Sequence, residues 1–408
     1  MSFKEYIKEQ NEKEQNEKEQ NEKEQIEKEI KELQIHNYKL YKPEDINKWL
    51  SEKIDKINTK AFHNIDETEN LRSEELKQII IEKLKEKCKK LEQEQKYILD
   101  VYEPIKINKK LINVQLGETE SIDLNFSKLE NLKNISLIIN GNLMISSTRI
   151  KEIEETPIVV YGKYQIRNNK IKKIEECPEY VETEYDLSLN GIEEIKKMPK
   201  YIGEGIDLSL NNLTQIPKGI QEKINGNFYI NDNLLKDLTN CPINIDGSFY
   251  GQNNKIENIK NGPQKVTKQY NIQSNEIKEL EIMPEEVESL IINNNPIRSL
   301  KGIPKIIHGY LLIKETEIKN LEGIGKSVDT IYVTNKNKTE ISLEYLPEKF
   351  NKIIIEKENK RTEYNDKEAK EIRIKEITVK IYEEMKEEIM EKDKEKEKNN
   401  KEGKKIKI

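Results

Sequence analysis

Histidine and cysteine are the residues best suited to catalysis or metal binding at neutral pH, and this chain of 408 residues has three of each. They are dispersed along the chain and form neither a CxxC pair nor a histidine cluster: His36, His63, His308, Cys88, Cys177 and Cys241. A metal site needs several such ligands at close spacing. The chain also has no GxGxxG, P-loop, HExxH or GxSxG motif. The sequence therefore predicts a protein that is not an enzyme and that uses no metal or cofactor.

Charged residues are abundant but nearly balanced. The 71 Lys and Arg against 77 Asp and Glu give a formal net charge of −6, which gives no electrostatic reason to expect nucleic acid or an anionic membrane as a partner. No stretch approaches the ~20 apolar residues of a membrane span, and the start of the chain lacks the apolar core of a signal peptide. Three cysteines argue against a disulfide framework. These features favour a cytoplasmic protein with a protein partner and no small-molecule substrate.

The first zone, residues 1–35, is a charged low-complexity segment in which NEKEQ occurs three times in succession between positions 11 and 25. Five residues advance an α-helix by roughly 500°, so a pentad repeat builds no apolar stripe. It does place Glu four residues before Lys, as in Glu14–Lys18, and such pairs support an isolated helix. We expect a solvated, projecting helix. A coiled-coil partner for this arm is the alternative.

The second zone, residues 36–115, has helical periodicity. Ile46, Trp49, Leu50 and Ile54 fall on one face of a predicted helix. A second and longer helix is predicted from four apolar positions at spacings of four: Leu76, Ile80, Leu84 and Cys88. We expect the two helices to pack together and to cover the first turn of the next zone.

The third zone, residues 116–356, is repetitive. Apolar residues that open a short strand recur every 20 to 22 residues: Ile122, Leu143, Tyr164, Tyr185, Ile206, Phe228, Phe249, Tyr270, Leu290, Leu311 and Ile331. If each is numbered position 0, further apolar residues follow at +2, +7 and +10, and Pro stands at +14 in most units. A repeat of about 21 residues that keeps these features in phase predicts a solenoid of 10–11 stacked coils.

Position +5 of the repeat is a polar amide inside an apolar run: Asn169, Asn190, Asn211, Asn233, Asn254, Asn275 and Asn295. A single buried amide is costly. A column of them can satisfy the backbone groups that each turn leaves unpaired, in its own coil and in a neighbouring coil, because Asn carries both donors and an acceptor. The sequence therefore predicts a structural Asn ladder. Asn337, in the irregular last unit, is expected to tolerate substitution.

The segment 206–216, IDLSLNNLTQI, has the pattern apolar-x-Leu-x-x-Asn-x-Leu-x-x-apolar. It resembles the leucine-rich-repeat family, and most of all the short bacterial and phage-like type of about 21 residues. The resemblance covers about 240 residues. It implies an α/β solenoid with a concave parallel β-sheet and a role in binding other proteins, without identifying the partner. Local departures occur at Gly251, which replaces the inward +2 residue, and at Pro217, which comes three residues early.

The last zone, residues 357–408, begins with a capping box formed by Asn365 and Glu368. Apolar residues follow at helical spacing, at positions 374, 377, 381, 385 and 389. Because the last coil of a solenoid must be covered, we expect a C-terminal capping helix. From Glu391 onward the sequence is of mixed charge, and we expect a disordered tail.

The outward positions of the strands, +1, +3 and +4, contain only two basic residues among 33, Arg167 and Lys314. Depletion of Lys with enrichment of Tyr is typical of protein-binding surfaces. The alternative explanation is that strand propensity alone excludes Lys and Glu from these positions. We predict that the partner contacts the concave face at Asp186, Leu189, Asp207, Leu210, Tyr229, Asn231, Asp232, Tyr250 and Gln252. The sequence thus favours a non-enzymatic binding scaffold, and the alternative is a structural or assembly protein that oligomerises through its N-terminal charged helix.

Overall fold

The computed structural model describes residues 3–32, 35–60, 70–106, 114–281, 283–335, 341–357 and 360–405. These residues form two compact units. The first comprises residues 1–235 and 239–250, and the second comprises residues 236–238 and 251–408. The division falls at Gly251, the repeat position that contributes no side chain to the interior.

The helices and strands follow the chain in a regular order. The α-helices of the described residues are α1 (Phe3–Glu32), α2 (Ile46–Thr59), α3 (Asn70–Gln93) and α4 (Asp366–Lys405), with a 3₁₀ turn at Pro43–Asp45. The strands of the first unit are β1 (Tyr38–Tyr41), β2 (Tyr97–Val101), β3 (Ile105–Lys106), β4 (Val114–Thr119), β5 (Ile122–Asp123), β6 (Ile138–Ile139), β7 (Leu143–Ser146), β8 (Val159–Val160), β9 (Tyr164–Arg167), β10 (Lys173–Ile174), β11 (Tyr180–Val181), β12 (Tyr185–Asp186), β13 (Glu194–Ile195), β14 (Tyr201–Ile202), β15 (Ile206–Asp207), β16 (Lys223–Ile224), β17 (Phe228–Tyr229), β18 (Asn244–Ile245) and β19 (Phe249–Tyr250). Those of the second unit are β20 (Lys265–Val266), β21 (Gln269–Asn271), β22 (Glu286–Val287), β23 (Ser289–Ile291), β24 (Ile306–Thr316), β25 (Ser327–Asn335), β26 (Lys349–Lys357) and β27 (Lys360–Asn365).

The repeat sheet of the first unit is built from the strands that begin at position 0. Its parallel order is β3, β5, β7, β9, β12, β15, β17 and β19. The predicted strand-opening residues pair directly with one another, so that Ile206 lies between Tyr185 and Phe228. All of the predicted openers are buried. This register confirms the predicted solenoid of parallel coils.

The segment of each coil that leads back to the next strand of the repeat sheet forms a second short strand, the return strand. These strands begin two residues after the Pro at +14, as in Pro178 before β11 and Pro199 before β14. Proline fixes φ and has no N–H, so it suits a position just before the backbone hydrogen bonds of the strand begin. In the first unit, the return strands up to β14 form a second sheet with the earlier strands, ordered β1, β2, β4, β6, β8, β11 and β14. β16 and β18 pair with each other outside this sheet.

Strands appear within the zone that the sequence assigns to helices. β2 and β3 belong to residues 97–106 and pair in parallel with β4 and β5, so the coils begin before residue 116. β1 pairs antiparallel with β2 at the edge of the second sheet. These strands carry no Asn or Pro in phase with the repeat, and the sequence pattern therefore does not reveal them.

α2 and α3 pack against the second sheet of the first unit, as part of one core cluster that includes Trp49, Ile80, Leu84, Val159 and Tyr180. The helices therefore cover several coils and not only the first turn. The buried stripe of α2 also differs from the expectation. It consists of Ile46, Trp49, Lys53 and Ile57, whereas Leu50 and Ile54 are only partly buried.

The second unit has the same arrangement of parallel coils and ends with an antiparallel strand and a helix. β21, β23, β24, β25 and β26 are parallel, with the openers at 270, 290, 311 and 331 in register with Ile353. β27 turns back and pairs antiparallel with β26. α4 begins directly after it with the predicted capping box, in which Asn365 and Glu368 exchange hydrogen bonds of 3.0 Å. The helix continues to Lys405 where the sequence leads us to expect disorder. Opposite charges at i,i+3 spacing, as in Glu391–Lys394 and Glu395–Lys398, support it.

None of the described helices carries an apolar stretch long enough to cross a membrane.

Candidate protein-binding surface

The Asn ladder shapes the turn that follows each strand of the repeat sheet. In the first unit, Asn211 Nδ2 donates to the carbonyls of Leu208 and Ser209 in its own coil and of Leu187 in the preceding coil, at 3.0–3.2 Å. Its Oδ1 accepts from the N–H groups of Asn190, Gly191 and Ile192, at 2.9–3.2 Å. One side chain thus satisfies six backbone groups in a place where water does not reach.

The other ladder residues repeat this geometry. Asn190 and Asn233 also donate to their own coil and to the preceding one. In the second unit, Asn275 and Asn295 donate in the same way, and Asn254 donates to carbonyls of its own coil. Asn190, Asn211, Asn233, Asn275 and Asn295 each reach toward the coil on their N-terminal side. Asn337 and His63 lie outside the described residues.

The residue before each ladder position has a left-handed backbone. In every coil from Ile122 to Leu311 the +4 residue has a φ between 53° and 59°. Asn, Asp and Ser occupy most of these positions: Ser147, Asn168, Asp232, Asn253, Ser274 and Asn294. Short polar side chains tolerate this conformation, whereas in other residues it costs roughly 1–2 kcal/mol. The other four positions hold residues that incur this cost: Phe126, Leu189, Leu210 and Glu315. Of these, Leu189 and Leu210 lie in adjacent coils.

Leu210 is 45% exposed to solvent and Leu189 is partly exposed. An exposed leucine gains little from burial in the folded chain, so its own packing does not offset the backbone strain. Strain of this kind is concentrated at functional sites. Both leucines belong to the surface predicted from the sequence, but their left-handed backbone conformation is not visible in the residue types.

Tyr229 and Tyr250 occupy the +1 positions of β17 and β19. Their rings are stacked, with centroids 4.7 Å apart and planes inclined by 2°. Both side chains are half-buried, so part of each ring faces solvent. The Tyr229 hydroxyl accepts a hydrogen bond of 2.9 Å from Asn227 Nδ2, and burial raises the pKa of this phenol. The pair forms a rigid aromatic ledge on the outer face of the repeat sheet.

The aspartates of the predicted surface accept hydrogen bonds from neighbouring residues of the chain. Asp186 is buried, contrary to the outward exposure expected, and its Oδ1 accepts from the N–H and hydroxyl of Ser188 at 3.0 and 2.7 Å. Asp207 bonds Ser209 in the same way, at 2.9 and 2.6 Å, and burial raises the pKa of its carboxyl. These Asp-x-Ser turns stabilise strand ends, so the two carboxylates are less available to a partner than is expected of contact residues.

The remaining predicted residues are half-buried. Asn231 donates through Nδ2 to Asp232 Oδ2 at 2.8 Å, so this pair is fixed in one orientation. Gln252 belongs to the second unit and is half-buried. The structure thus groups Leu189, Leu210 and the tyrosine pair on adjacent coils of the first unit.

A second cluster of charged groups, not foreseen from the sequence, lies under α2. Lys53 is fully buried and bonds the carboxylates of Asp100, at 2.6 Å, and Glu118. Asp100 also accepts from Trp49 Nε1 at 2.8 Å. The Lys53 ammonium holds the pKa of Glu118 low, while burial raises that of Asp100. The cluster fixes α2 to the second sheet and is enclosed, so we assign it a structural role.

Metal and thiol chemistry find no support among the described residues. No group of three or more His, Cys, Asp and Glu there is arranged to hold a metal ion. Cys88 and Cys177 are buried, and burial raises the pKa of each thiol to about 12, which leaves them protonated and unreactive at neutral pH.

Comparison with known proteins adds one structural likeness. No protein-family model and no curated protein sequence matches this chain. Among solved structures, it is similar to YopM from Yersinia enterocolitica WA-314, with 13% sequence identity and a TM-score of 0.41 over 77% of this chain and 74% of that one. The fold assignment rests on the chain's own coils, their in-register strands and their Asn ladder.

Proposed function

We propose that this leucine-rich-repeat solenoid is a non-enzymatic protein-binding scaffold, and that its partner docks on the outer face of the repeat sheet across β12, β15, β17 and β19. The observation that carries the proposal is Leu210, which is exposed and strained at a position where six of the ten coils place Asn, Asp or Ser, and which is followed in the next coils by the stacked tyrosines. An Asn there would relieve the strain at no cost in packing. A contact with a partner would account for the leucine.

The tyrosine ledge supports the same location. Tyrosine loses little conformational freedom on binding and combines an apolar ring with a polar tip, which makes it a frequent interface anchor. Stacking fixes Tyr229 and Tyr250 before a partner arrives. Leu210 lies one coil before Tyr229, and its N–H donates to Asn231 O at 3.0 Å, so these elements belong to one continuous surface.

The partner's contacting surface should be mainly apolar and uncharged. Asp207 and Asp232 are already hydrogen bonded within the chain, which leaves them weak anchors for a basic partner. We therefore expect binding to depend only slightly on salt concentration, because exposed charge pairs are the interactions that salt screens.

The test begins with recovery of partners on the immobilised full chain, followed by binding measurements with variants. Tyr229→Ala combined with Tyr250→Ala should weaken binding by roughly 2 kcal/mol or more, about 30-fold, because anchors of this kind dominate interfaces. Leu210→Asn should also weaken binding while raising the free energy of unfolding by about 1 kcal/mol, since it removes left-handed strain. A structural role for Leu210 predicts the reverse change in stability.

Leu234 provides a matched control. It is 39% exposed, close to the value for Leu210, but follows the ladder residue at +6 and has no positive φ. Leu234→Asn should change neither binding nor stability appreciably. If Leu210→Asn and the tyrosine double variant bind as the unaltered chain does, the partner docks elsewhere and the proposal fails.

Assembly through the N-terminal helix is the alternative function. The described side chains of α1 between residues 13 and 25 are all exposed and polar, which offers no apolar surface for oligomerisation. Ile26 and Ile30, nearer the end of the helix, are already buried. Sedimentation with and without residues 1–25 separates the two functions, because an assembly arm would change the molecular mass of the particle.

A further inference from the structure

The C-terminal helix α4 has one face that packs on its own unit. Ala369 is fully buried there. Farther along the same face, Glu376 Oε2 accepts from the hydroxyl of Ser342 and the N–H of Leu343, both at 2.9 Å. Lys380 then pairs with Glu344 at 2.9 Å. After Lys380 the described side chains of α4 are exposed.

The opposite face of α4 carries an apolar stripe, which consists of Ile374, Thr378, Ile381, Tyr382 and Met385. These positions follow the i, i+4, i+7, i+8, i+11 spacing that places side chains on one face of a helix. At 100° per residue the stripe lies about half a turn from Ala369 and Glu376. All five side chains are exposed, and none is covered by any described part of the chain. Large apolar side chains grouped in this way mark an interaction surface.

We propose that this stripe pairs with the same stripe of a second copy of the chain, with the two α4 helices antiparallel. A two-fold axis makes each contact occur twice. With Ile374 opposite Met385 and Thr378 opposite Ile381, the stripe complements itself in four successive layers. Glu371 and Glu388 follow at the two ends, which limits the contact to these layers and predicts a reversible dimer.

The charges beside the stripe select the antiparallel orientation. In that register Lys370 faces Glu391 of the partner subunit, and Lys375 faces the ring of the partner's Tyr382. In a parallel pair Lys370 would instead face Lys375 of the partner subunit. Opposite charges at flanking positions set helix orientation in coiled coils, and like charges oppose it. Lys370 forms an exposed pair with Asp366 in the single chain, at 2.8 Å. Breaking such an exposed pair costs little, so Lys370 can exchange Asp366 for Glu391 of the partner subunit.

The test is the molecular mass of the full chain across a concentration series, measured by analytical ultracentrifugation. The variant Ile381→Gln with Met385→Gln removes two stripe residues and should weaken self-association by about 10-fold or more, since buried apolar anchors dominate such contacts. The matched control is Val379→Gln with Met390→Gln. These residues are similarly exposed, 56% for Val379 against 50% for Ile381, but lie off the stripe. The control should self-associate as the unaltered chain does.

Three results would overturn the proposal. They are a chain that stays monomeric over the series, equal effects of the stripe and control variants, and loss of self-association when residues 1–25 are deleted. Circular dichroism confirms that helix content is retained in each variant.

Orientation is tested by disulfide formation between an Ile374→Cys chain and a Met385→Cys chain. Only the mixture should form a cross-linked dimer on oxidation. Cross-linking of either variant alone would show a parallel pair and refute the orientation. The native thiols Cys88 and Cys177 are buried, and both chains carry Cys241→Ala because that third thiol is partly exposed.

Discussion

Replacement of Asn211 by leucine tests the ladder where its hydrogen bonds are most numerous. The substitution nearly conserves volume, so its cost comes from the backbone groups that lose a partner. Three N–H groups of the preceding coil, those of Asn190, Gly191 and Ile192, bond to Asn211 Oδ1 at 2.9–3.2 Å. A buried group left without its partner costs about 1–3 kcal/mol. Because the three N–H groups share one acceptor, their individual costs do not simply add. We therefore expect a loss of about 3–5 kcal/mol in the free energy of unfolding.

The neighbouring residue supplies the control. Asn212 is exposed, and its side chain makes a hydrogen bond of 3.3 Å to Gly191 O. Asn212→Leu should cost less than about 1 kcal/mol. Both variants are measured by denaturant unfolding and by hydrogen exchange at Gly191 and Ile192, because a repeat array can open locally without unfolding completely. If Asn211→Leu proved as mild as Asn212→Leu, or left exchange at these amides unchanged, the ladder would not stabilise the turn.

Three further predictions concern the buried charge, the strand turn and the arm. Lys53→Met should destabilise the chain by about 3–5 kcal/mol in denaturant unfolding, because Asp100 and Glu118 would remain buried without their cation; a loss below about 1 kcal/mol would contradict the buried network. Burial raises the pKa of Asp207 in the folded chain, so the folded state binds its proton more tightly and the ionised carboxylate costs stability; this cost begins as the pH rises through the unfolded pKa and is complete above the folded pKa. Asp207→Asn should therefore be at least as stable as the unaltered chain at pH 7, with an advantage that shrinks as the pH falls toward the unfolded value of about 3.9; an advantage that grows on acidification would reverse the sign. Deletion of residues 1–25 should leave the melting temperature unchanged within about 2 °C, and a larger drop would show that the arm packs on the first unit.

The repeat phase was predictable because it depends on local periodicity. Every strand-opening residue read from the sequence lies in the interior, and within each unit these residues pair in register with their neighbours. The stacking of Tyr229 on Tyr250 follows from the same phase, since both stand at +1. Periodicity is visible in one sequence because it is a property of residue spacing alone.

Features that depend on distant partners were not predictable. Lys53 reads as a polar interruption of an apolar stripe, and only the carboxylates of Asp100 and Glu118, 47 and 65 residues away, make its burial possible. The early strands β2 and β3 likewise depend on pairing with later segments. Asp186 was expected to be exposed because alternation along a strand places position +1 on the outer face. Alternation does not reveal the hydrogen bonds that Asp186 accepts from Ser188, two residues later in the same coil. The signal was present, however, since Asp-x-Ser recurs at +1 and +3 of two successive coils and is typical of an Asx turn.

The ladder has a direction, and the direction relates to the order in which the chain is synthesised. Each Asn accepts from turn N–H groups of the coil before it, so a coil is completed only by the one that emerges next. A chain shortened from its C-terminus within the array ends on a turn whose N–H groups have lost their acceptor. A chain shortened from its N-terminus leaves instead a terminal Asn whose side chain can turn toward water. The array is therefore destabilised more by premature termination than by loss of its first coils, because each coil is stabilised by the coil that is synthesised after it.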